Sequence, residues 1–358
     1  MIAHPIRSPK PAARAEDFTD RVVGDIAVAM SAALVVVGDR LGFYQALAGG
    51  GAMTTVELAS ETGTHERYVR EWLNAQTAAG YVKYEATTGR YYLPPEHVPA
   101  LADAESPAFS AGGFQIAQAV FAAVERAVEN FRTGAGMDWG EHAACLFEGS
   151  DRFLRAGYLG HLTTFWVPAL EGVEAKLRRG GLVADVGCGL GAATLILARA
   201  YPASRFIGVD THPASIEAAR ARAGQAGVDD RVSFEVASAS DFPGNGYDLV
   251  AHFHSLHLTG DPVAAARRVR AALSAEGTWM IVEPFTHERL EANVNPVGRL
   301  FYAASTMLGV PASLAHEGIA FGAQVSEAGL RSVAAEAGFS RFRRASATAL
   351  ALAFEARP

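Results

Sequence analysis

Apolar positions are spaced in two ways along the chain. In the first hundred residues they recur every three or four places, as at Val69, Trp72 and Leu73, the period of a helix with one buried face. Beyond Gly180 they come as short unbroken runs set between turns and further helical stretches, the pattern of strands buried on both faces of a sheet. The chain therefore reads as a helical front end followed by an α/β domain.

In the front end, Thr54 or Thr55 caps a helix through Val56, Leu58 and Ala59, and Gly63 ends it. A second helix is expected from His65 to Ala79. Two β-prone runs, Tyr81 to Tyr84 and Arg90 to Leu93, then flank a Thr-Gly turn. Helix, turn, helix and β-wing together predict a winged helix. An apolar helix from Ile26 to Leu47 precedes it, more hydrophobic than a small winged domain needs, and reads as a dimerisation platform. Its unbroken part, Ile26 to Val37 with one Ser, falls short of the ~18 to 20 residues of a membrane span and reads as a buried helix, so no membrane partner is expected. The leading MIAHPIRSPKPAAR has no hydrophobic signal region and reads as a mobile arm.

From Ser106 to about Arg179 the pattern is helical, with breaks expected at Gly134, Gly136, Gly149 and Gly157. Aromatic and polar groups mix here, among them Trp139, Glu141, His142, Phe153, Tyr158, His161, Phe165 and Trp166. Such a connector suits one wall of a small-molecule pocket.

At Leu182 to Val186 an apolar β-run enters Gly187-Cys188-Gly189-Leu190-Gly191, and a helix follows from Ala192 to Tyr201. A strand entering a glycine turn that opens a helix brings backbone N–H groups close to a ligand. A second strand, Phe206 to Val209, ends at Asp210, 23 residues after Gly187, where an acid accepts both ribose hydroxyls of an adenosine-containing cofactor. A dinucleotide fingerprint needs Gly-x-Gly-x-x-Gly; here the spacing is Gly-x-Gly-x-Gly with Asp185 two places ahead. A carboxylate there would repel a pyrophosphate but suits the ammonium end of S-adenosylmethionine; a structural cap of the loop is the alternative role. Further strands are expected at Val232 to Val236, Tyr247 to His252 and Thr278 to Val282. Helices are expected at Pro262 to Leu273 and Ser326 to Ala337, with a closing hairpin of Arg341 to Ala345 and Ala349 to Glu355.

Composition narrows the function. The 358 residues carry 31 Lys and Arg against 38 Asp and Glu, a formal charge of −7, with half the residues apolar. The winged segment, Asp17 to Asp103, holds six basic residues against eleven acidic, so it is a poor match for a phosphate backbone, and no nucleic-acid partner is expected. Two cysteines, Cys145 and Cys188, make no disulfide framework and point to a reducing cytoplasm. Eleven histidines are scattered; His252, His254 and His257 cluster without a cysteine or paired carboxylate to complete a ligand set, so no metal is expected.

VADVGCGLG, the acid in GVDTHP, DLVAHFHSLHLTGDP and IVEPF resemble a class I S-adenosylmethionine-dependent methyltransferase. With the acidic winged front end, the chain from about Phe18 onward is similar to two-domain bacterial, especially actinobacterial, methyltransferases that dimerise through the N-terminal domain; NPVGRLFYAASTMLGVPASL shares that similarity. The resemblance implies a Rossmann-like α/β sheet of seven strands in the order 3-2-1-4-5-7-6, the last antiparallel, behind a helical winged-helix domain. The implied boundaries are an arm (1–16), the winged domain (17–104), the connector (105–179) and the catalytic domain (180–358), with 285–325 as lid or acceptor-pocket insertion. S-adenosyl-L-methionine is the implied cofactor and S-adenosyl-L-homocysteine its product. Asp185, Gly187, Gly189 and Gly191 would hold the methionine end and Asp210 the ribose. Many relatives have an Asp at the adenine turn; here it is Ser238, leaving adenine to Ala239 with Ser238 or Asp241, while Phe253 and His254 would line the sulfonium.

Small-molecule O-methyltransferases of the plant type carry a catalytic histidine in Leu-His-Asp-Trp, and His257 falls on it, with Leu258 and Thr259 in place of the Asp and Trp. His257 and His254 are the candidate bases, and Glu283 orients a histidine or contacts the acceptor. His142, Tyr158, Trp139, Arg299 and Tyr302 are the candidate pocket residues. The apolar lid favours an aromatic or lipid-like acceptor, and the similarity to small-molecule O-methyltransferases implies O-methylation over N- or C-methylation. A ligand-responsive DNA-binding regulator, a nicotinamide oxidoreductase and a methyltransferase-like scaffold with other chemistry are the competing readings.

Overall fold

The structure is a computed structural model and describes residues 11–358, with side chains from Glu16 onward. It divides into two compact units, one reaching to Ala104 and including Phe109–Phe114, the other formed by Glu105–Ala108 and Gln115–Pro358.

The first unit runs α1 (Pro11–Arg40), α2 (Phe43–Gly50), α3 (Thr55–Glu61), α4 (Glu66–Ala78), β1 (Lys83–Glu85) and β2 (Arg90–Tyr92), the two strands antiparallel as the wing. Thr54 caps α3 with a capping box: its hydroxyl accepts from Glu57 N at 3.2 Å while Glu57 Oε2 accepts from Thr54 N at 2.8 Å. Trp72 of α4 centres the core. Its ring lies 4.8 Å from Phe43 and 5.2 Å from Tyr44, and its Nε1 donates to Leu34 O at 2.8 Å.

Three expectations for this region change. The apolar helix expected over Ile26 to Leu47 is two helices, because Gly42 at φ 71° takes the left-handed conformation that only glycine adopts without strain and turns the chain into α2. The expected buried helix is buried only at its end, around Val35 and Val36, while Val23 and Met30 are 60% and 73% exposed. At about 45 Å, α1 outruns the small core it packs on. Its Glu16–Arg40 portion is also long and apolar enough to cross a membrane by length and composition, which the shorter run read alone did not suggest. Of the arm placed at 1–16, residues 1–10 lie outside the described residues, and the backbone is helical from Pro11.

The second unit holds β3 (Leu182–Val186), β4 (Arg205–Asp210), β5 (Val232–Val236), β6 (Tyr247–Phe253), β7 (Leu273–Pro284), β8 (Arg341–Ala347) and β9 (Ala351–Arg357) in one sheet of order β5-β4-β3-β6-β7-β9-β8. Pairings from β5 through β7 are parallel, and β9 runs antiparallel between β7 and β8. Counted from β3, this is the expected 3-2-1-4-5-7-6. Alternate strand residues feed two cores. Val183, Leu249, Ala251 and Met280 join Leu162, Trp166 and Leu197 on one face, and Ala184, Val250, Trp279 and Ile281 join Val269 and Leu330 on the other. The strand order reverses beside β3, so the carboxyl ends of β3, β4, β6 and β7 form the crevice where open α/β sheets take ligands.

In the connector, Gly134 at φ 74° ends the helix Val124–Thr133 as expected, whereas Gly149 and Gly157 lie inside the helix Cys145–His161. Gly149 is buried, and isolated glycines within a packed helix cost little against the burial of its apolar face. Two single π-helical turns, Leu162–Trp166 and Ser305–Gly309, interrupt helical stretches of this unit.

Candidate active site

The site grows from the end of β3. Gly187, at φ 78°, could not carry a side chain: a Cβ there would stand 2.4 Å from Ser255 Cβ, and Ser255 Oγ donates to Val186 O at 2.7 Å. Gly189, at φ 52°, faces open space. Gly187 N and Cys188 N donate to Val209 O at 2.8 and 2.9 Å, and Gly189 N donates to Asp210 Oδ2 at 2.9 Å, so the loop is fastened to the end of β4. Asp210 Oδ1 accepts from His212 N at 2.9 Å. Backbone thus pins both carboxylate oxygens of Asp210 and leaves each a lone pair for a diol.

Asp185 is 1% exposed. Its Oδ2 accepts from Thr194 Oγ1 at 2.5 Å and its Oδ1 has no partner. Burial pushes its carboxyl up to about 7, the Thr194 bond drawing it back and Asp210 pushing it further. An orphaned buried acceptor beneath a glycine cradle, with a second carboxylate pinned by backbone one strand away, fits S-adenosylmethionine: Asp185 would face its ammonium end and Asp210 its ribose. At the turn expected to take the adenine, Ser238 and Ala239 are half-buried and Asp241 is exposed, with Ser238 Oγ 3.2 Å from Ser240 Oγ.

The second half of the site is a dyad. His257 Nδ1 lies 2.5 Å from Glu283 Oε2, and His257 N donates to Glu283 Oε1 at 3.3 Å. The 3-10 turn Leu256–Leu258 after β6 carries the histidine and the last residues of β7 carry the glutamate. Burial works to raise the Glu283 carboxyl, but His257 by charge and hydrogen bond, with His254 adding, holds it below the usual glutamate range. Glu283 thus engages Nδ1 and not Nε2.

His254 sits at φ 55°, with its N donating to Val282 O at 2.7 Å and its ring stacked 6.4 Å from Tyr158. Burial lowers it to about 4 against the opposing charge of Glu283, with His257 lowering it further. His252 does not join it. Fully buried on the Trp279 face of the sheet, its Nδ1 accepts from Trp279 Nε1 at 3.1 Å, and burial takes it to about 4. Among the described residues no three His, Cys, Asp or Glu side chains gather as a metal set.

Tyr158 and Phe253 pack at 5.6 Å between the two halves. Burial, reinforced by Asp185, Asp151 and Glu283, keeps the Tyr158 phenol well above its usual range, a neutral donor. His142 is 6% exposed, and both its ring nitrogens lack partners; burial lowers it against Glu141 and Asp138. Trp139, half-buried, lies 6.1 Å from His142. Arg299 and Tyr302 are not brought in: on the helix Pro296–Ala304, Gly298 and Phe301 face inward, and the helical period turns Arg299 and Tyr302 to the exposed side.

Sequence reasoning missed several members. Thr194 was a visible signal, a hydroxyl in the first turn of a helix apolar up to Arg199. Phe147, stacked on His212 at 4.3 Å, and Arg222, which pairs with Asp151 at 2.7 Å and donates to Leu190 O at 3.3 Å, carried none, because their partners are distant in sequence.

The fold and the glycine-loop site define the class I S-adenosylmethionine-dependent methyltransferase architecture. Residues 177–317 match the methyltransferase domain family and residues 29–103 the Rv2258c-like winged HTH domain. The chain thus carries a winged helix-turn-helix domain ahead of a methyltransferase domain. It is 33% identical over 121 residues to 27-O-demethylrifamycin SV methyltransferase of Amycolatopsis mediterranei, covering 33% of this chain and 44% of that one. It is 32% identical over 109 residues to ajmaline N-methyltransferase of Rauvolfia serpentina, covering 30% and 36%. The chain thus spans less than half the length of these curated relatives. Human N-acetylserotonin methyltransferase, solved with S-adenosylmethionine, superposes with TM-score 0.69 at 17% identity, covering 98% of this chain and 99% of that one, which shows a shared fold.

Proposed function

We propose that the protein transfers a methyl group to a hydroxyl of a small aromatic or apolar molecule, as a cytoplasmic homodimer. The observation that carries this reading is the buried His257–Glu283 pair at the carboxyl end of β6 and β7, in the same crevice as the glycine loop. S-adenosylmethionine, when bound, supplies an already activated methyl group, so the protein's share is position and proton handling.

Asp185 and the loop glycines hold the amino-acid end, Asp210 the ribose, and Ser238, Ala239 and Asp241 border the adenine. Phe253 and Tyr158 wall the sulfonium side. Glu283 fixes the His257 tautomer and compensates the charge gained when Nε2 takes the hydroxyl proton. His254, depressed to about 4, is a weak base at neutral pH. Trp139 and His142 lie in the connector, His142 supplying two buried, unpaired nitrogens to an acceptor's polar group. A proton-removing base matters most for a hydroxyl, and this favours oxygen over nitrogen or carbon.

The homodimer reading rests on α1, whose apolar face is exposed along Phe18, Val23, Ile26 and Met30. DNA binding finds no support in α4: Arg67 pairs with Glu71 at 2.5 Å and Arg70 with Glu66 at 2.8 Å, so its cations are committed to its own carboxylates.

The test is calorimetry with S-adenosylhomocysteine, followed by methyl-transfer assays on a phenol panel. Binding together with His257-dependent O-methylation supports the reading. No heat with either cofactor form would remove the activity, and rates unchanged in both His257→Ala and His254→Ala would remove the base.

A further inference from the structure

The segment 305–323, between β7 and the last helix, is stitched to the turn that carries His257. Ser313 Oγ donates to Thr259 O at 3.1 Å and accepts from Ala320 N at 3.1 Å, so one hydroxyl ties the turn to both limbs of the segment. Ile319 N donates to Gly260 O at 3.3 Å, and a Cβ on Gly260 would stand 2.8 Å from the His316 backbone oxygen and Cβ. Within the segment, Ser305 Oγ accepts from Ala323 N at 2.9 Å and closes the π-helical turn Ser305–Gly309 onto the returning chain.

Backbone strain collects in the same two places. Among the described residues the non-glycine positions at positive φ are His254, Glu317 and Ala320, at 55°, 54° and 53°, one before the turn and two in the stitched return. Left-handed backbone at such residues persists only where its surroundings over-determine it, and π-turns recur at functional sites. The contact that links this framework to the dyad is Gly309. It ends the π-turn against the imidazole of His257, and a Cβ there would lie 3.3 Å from His257 Cδ2 and 3.4 Å from Ala323 N.

We infer that the 305–323 segment is a positioning element for His257, with Gly309 as the seat of the imidazole ring and Ser313 as the clip that fixes the seat against the turn. Glu283 sets which nitrogen is free; Gly309 sets where it points. The side chain missing at Gly309 therefore has a use beyond packing: it lets the ring lie against the lid, so that enclosing an acceptor and placing Nε2 are one structural event. This rests on the reading of His257 as the base.

The experiment uses full-length protein labelled with 15N at histidine and saturated with S-adenosylhomocysteine. The ring resonances of His257 are assigned by their loss in His257→Ala. Gly309 has helical backbone, φ −67° and ψ −51°, so Gly309→Ala strains nothing in the main chain and replaces a poor helix former with a good one. The expected result is an unchanged or raised melting temperature with a displaced Nδ1–H resonance of His257, as the ring moves off its seat by a few tenths of an ångström. Ser313→Ala, which cuts both clips, is expected to move the same resonance and serves if Gly309→Ala fails to fold. Resonances of His257 identical to wild type in both variants would overturn the positioning role. If His257→Ala methylates at the wild-type rate, the base reading falls, yet the resonances still decide whether Gly309 seats the ring.

Discussion

His257 Nδ1 and Glu283 Oε2 lie 2.5 Å apart although 26 residues and the helix Pro262–Ala272 separate them in the chain. Two neighbouring parallel strands end at the same height, so a residue just past β6 meets one at the end of β7. The pair is buried, and each group justifies the burial of the other: a lone glutamate there would be desolvated at considerable cost, and a lone histidine would lose its tautomer.

Glu283→Gln is expected to keep the fold and lower the methyl-transfer rate on a phenolic acceptor by about 10²-fold, and His257→Ala by 10² to about 10⁴. Single-turnover measurement separates this from slow product release. A Glu283→Gln enzyme with the wild-type rate removes the dyad.

Asp185 should release a proton when cofactor binds. Its folded carboxyl titrates near 7, well above the unfolded value, so between roughly pH 4 and 7 the ligand-free protein holds a proton that an incoming ammonium displaces. Calorimetry at pH 6 in buffers of different ionisation enthalpy reads this directly, and the buffer dependence should vanish in Asp185→Asn. The same raised value means that ligand-free stability from this group is full below about pH 4 and lost as pH rises through 7. Asp185→Asn should therefore be the more stable protein at pH 8, by on the order of 2 to 4 kcal/mol.

His252 has the opposite sign of pH dependence. It is depressed to about 4 from an ordinary value near 6.5, so the unfolded chain binds the extra proton and stability falls as pH drops from 6.5 toward 4, by at most about 3 kcal/mol. Glu283, held below its usual range, adds a further loss at still lower pH, as pH falls through its folded value. Urea midpoints between pH 4 and 7 in a His252→Gln background should show a flatter acid limb. Equal slopes would mean that the imidazole is not kept neutral by burial.

Asp210→Ala should abolish the rise in melting temperature given by S-adenosylhomocysteine. At a hundredfold excess over its dissociation constant a ligand stabilises by about 2.7 kcal/mol, so the lost shift is large enough to read. The variant also unpins Gly189 N, and a lower melting temperature without ligand is expected alongside.

Charges placed on the exposed face of α1, as in Ile26→Glu with Met30→Glu, should convert a dimer to a monomer in analytical ultracentrifugation and leave the fold of the second unit intact. A wild-type monomer at micromolar concentration would remove the dimer proposal. Vesicle or duplex-DNA binding by the wild type at low salt would assign the same face or α4 to a different partner.

Local rules carried much of this protein. Hydrophobic period, the Thr54 cap, the spacing of Gly187, Gly189 and Gly191 and the acid at Asp210 are each properties of a few neighbouring residues, and they placed the winged unit, the strands and the loop. Strand order came from the resemblance those motifs carry. What the sequence left open depends on residues far apart along the chain. It offered Glu283 as orienting a histidine or contacting the acceptor and left both the choice and the histidine open; strand pairing brought it within a hydrogen bond of His257. It grouped His252 with His254, but the end of β6 puts one against Trp279 and turns the other, at positive φ, toward Tyr158. It read Ile26 to Val37 as buried, since hydrophobicity says that a surface seeks a partner and not whether the same chain supplies it. It could not single out Gly309, because the use of an absent side chain is decided by what packs into the space, here the ring of His257.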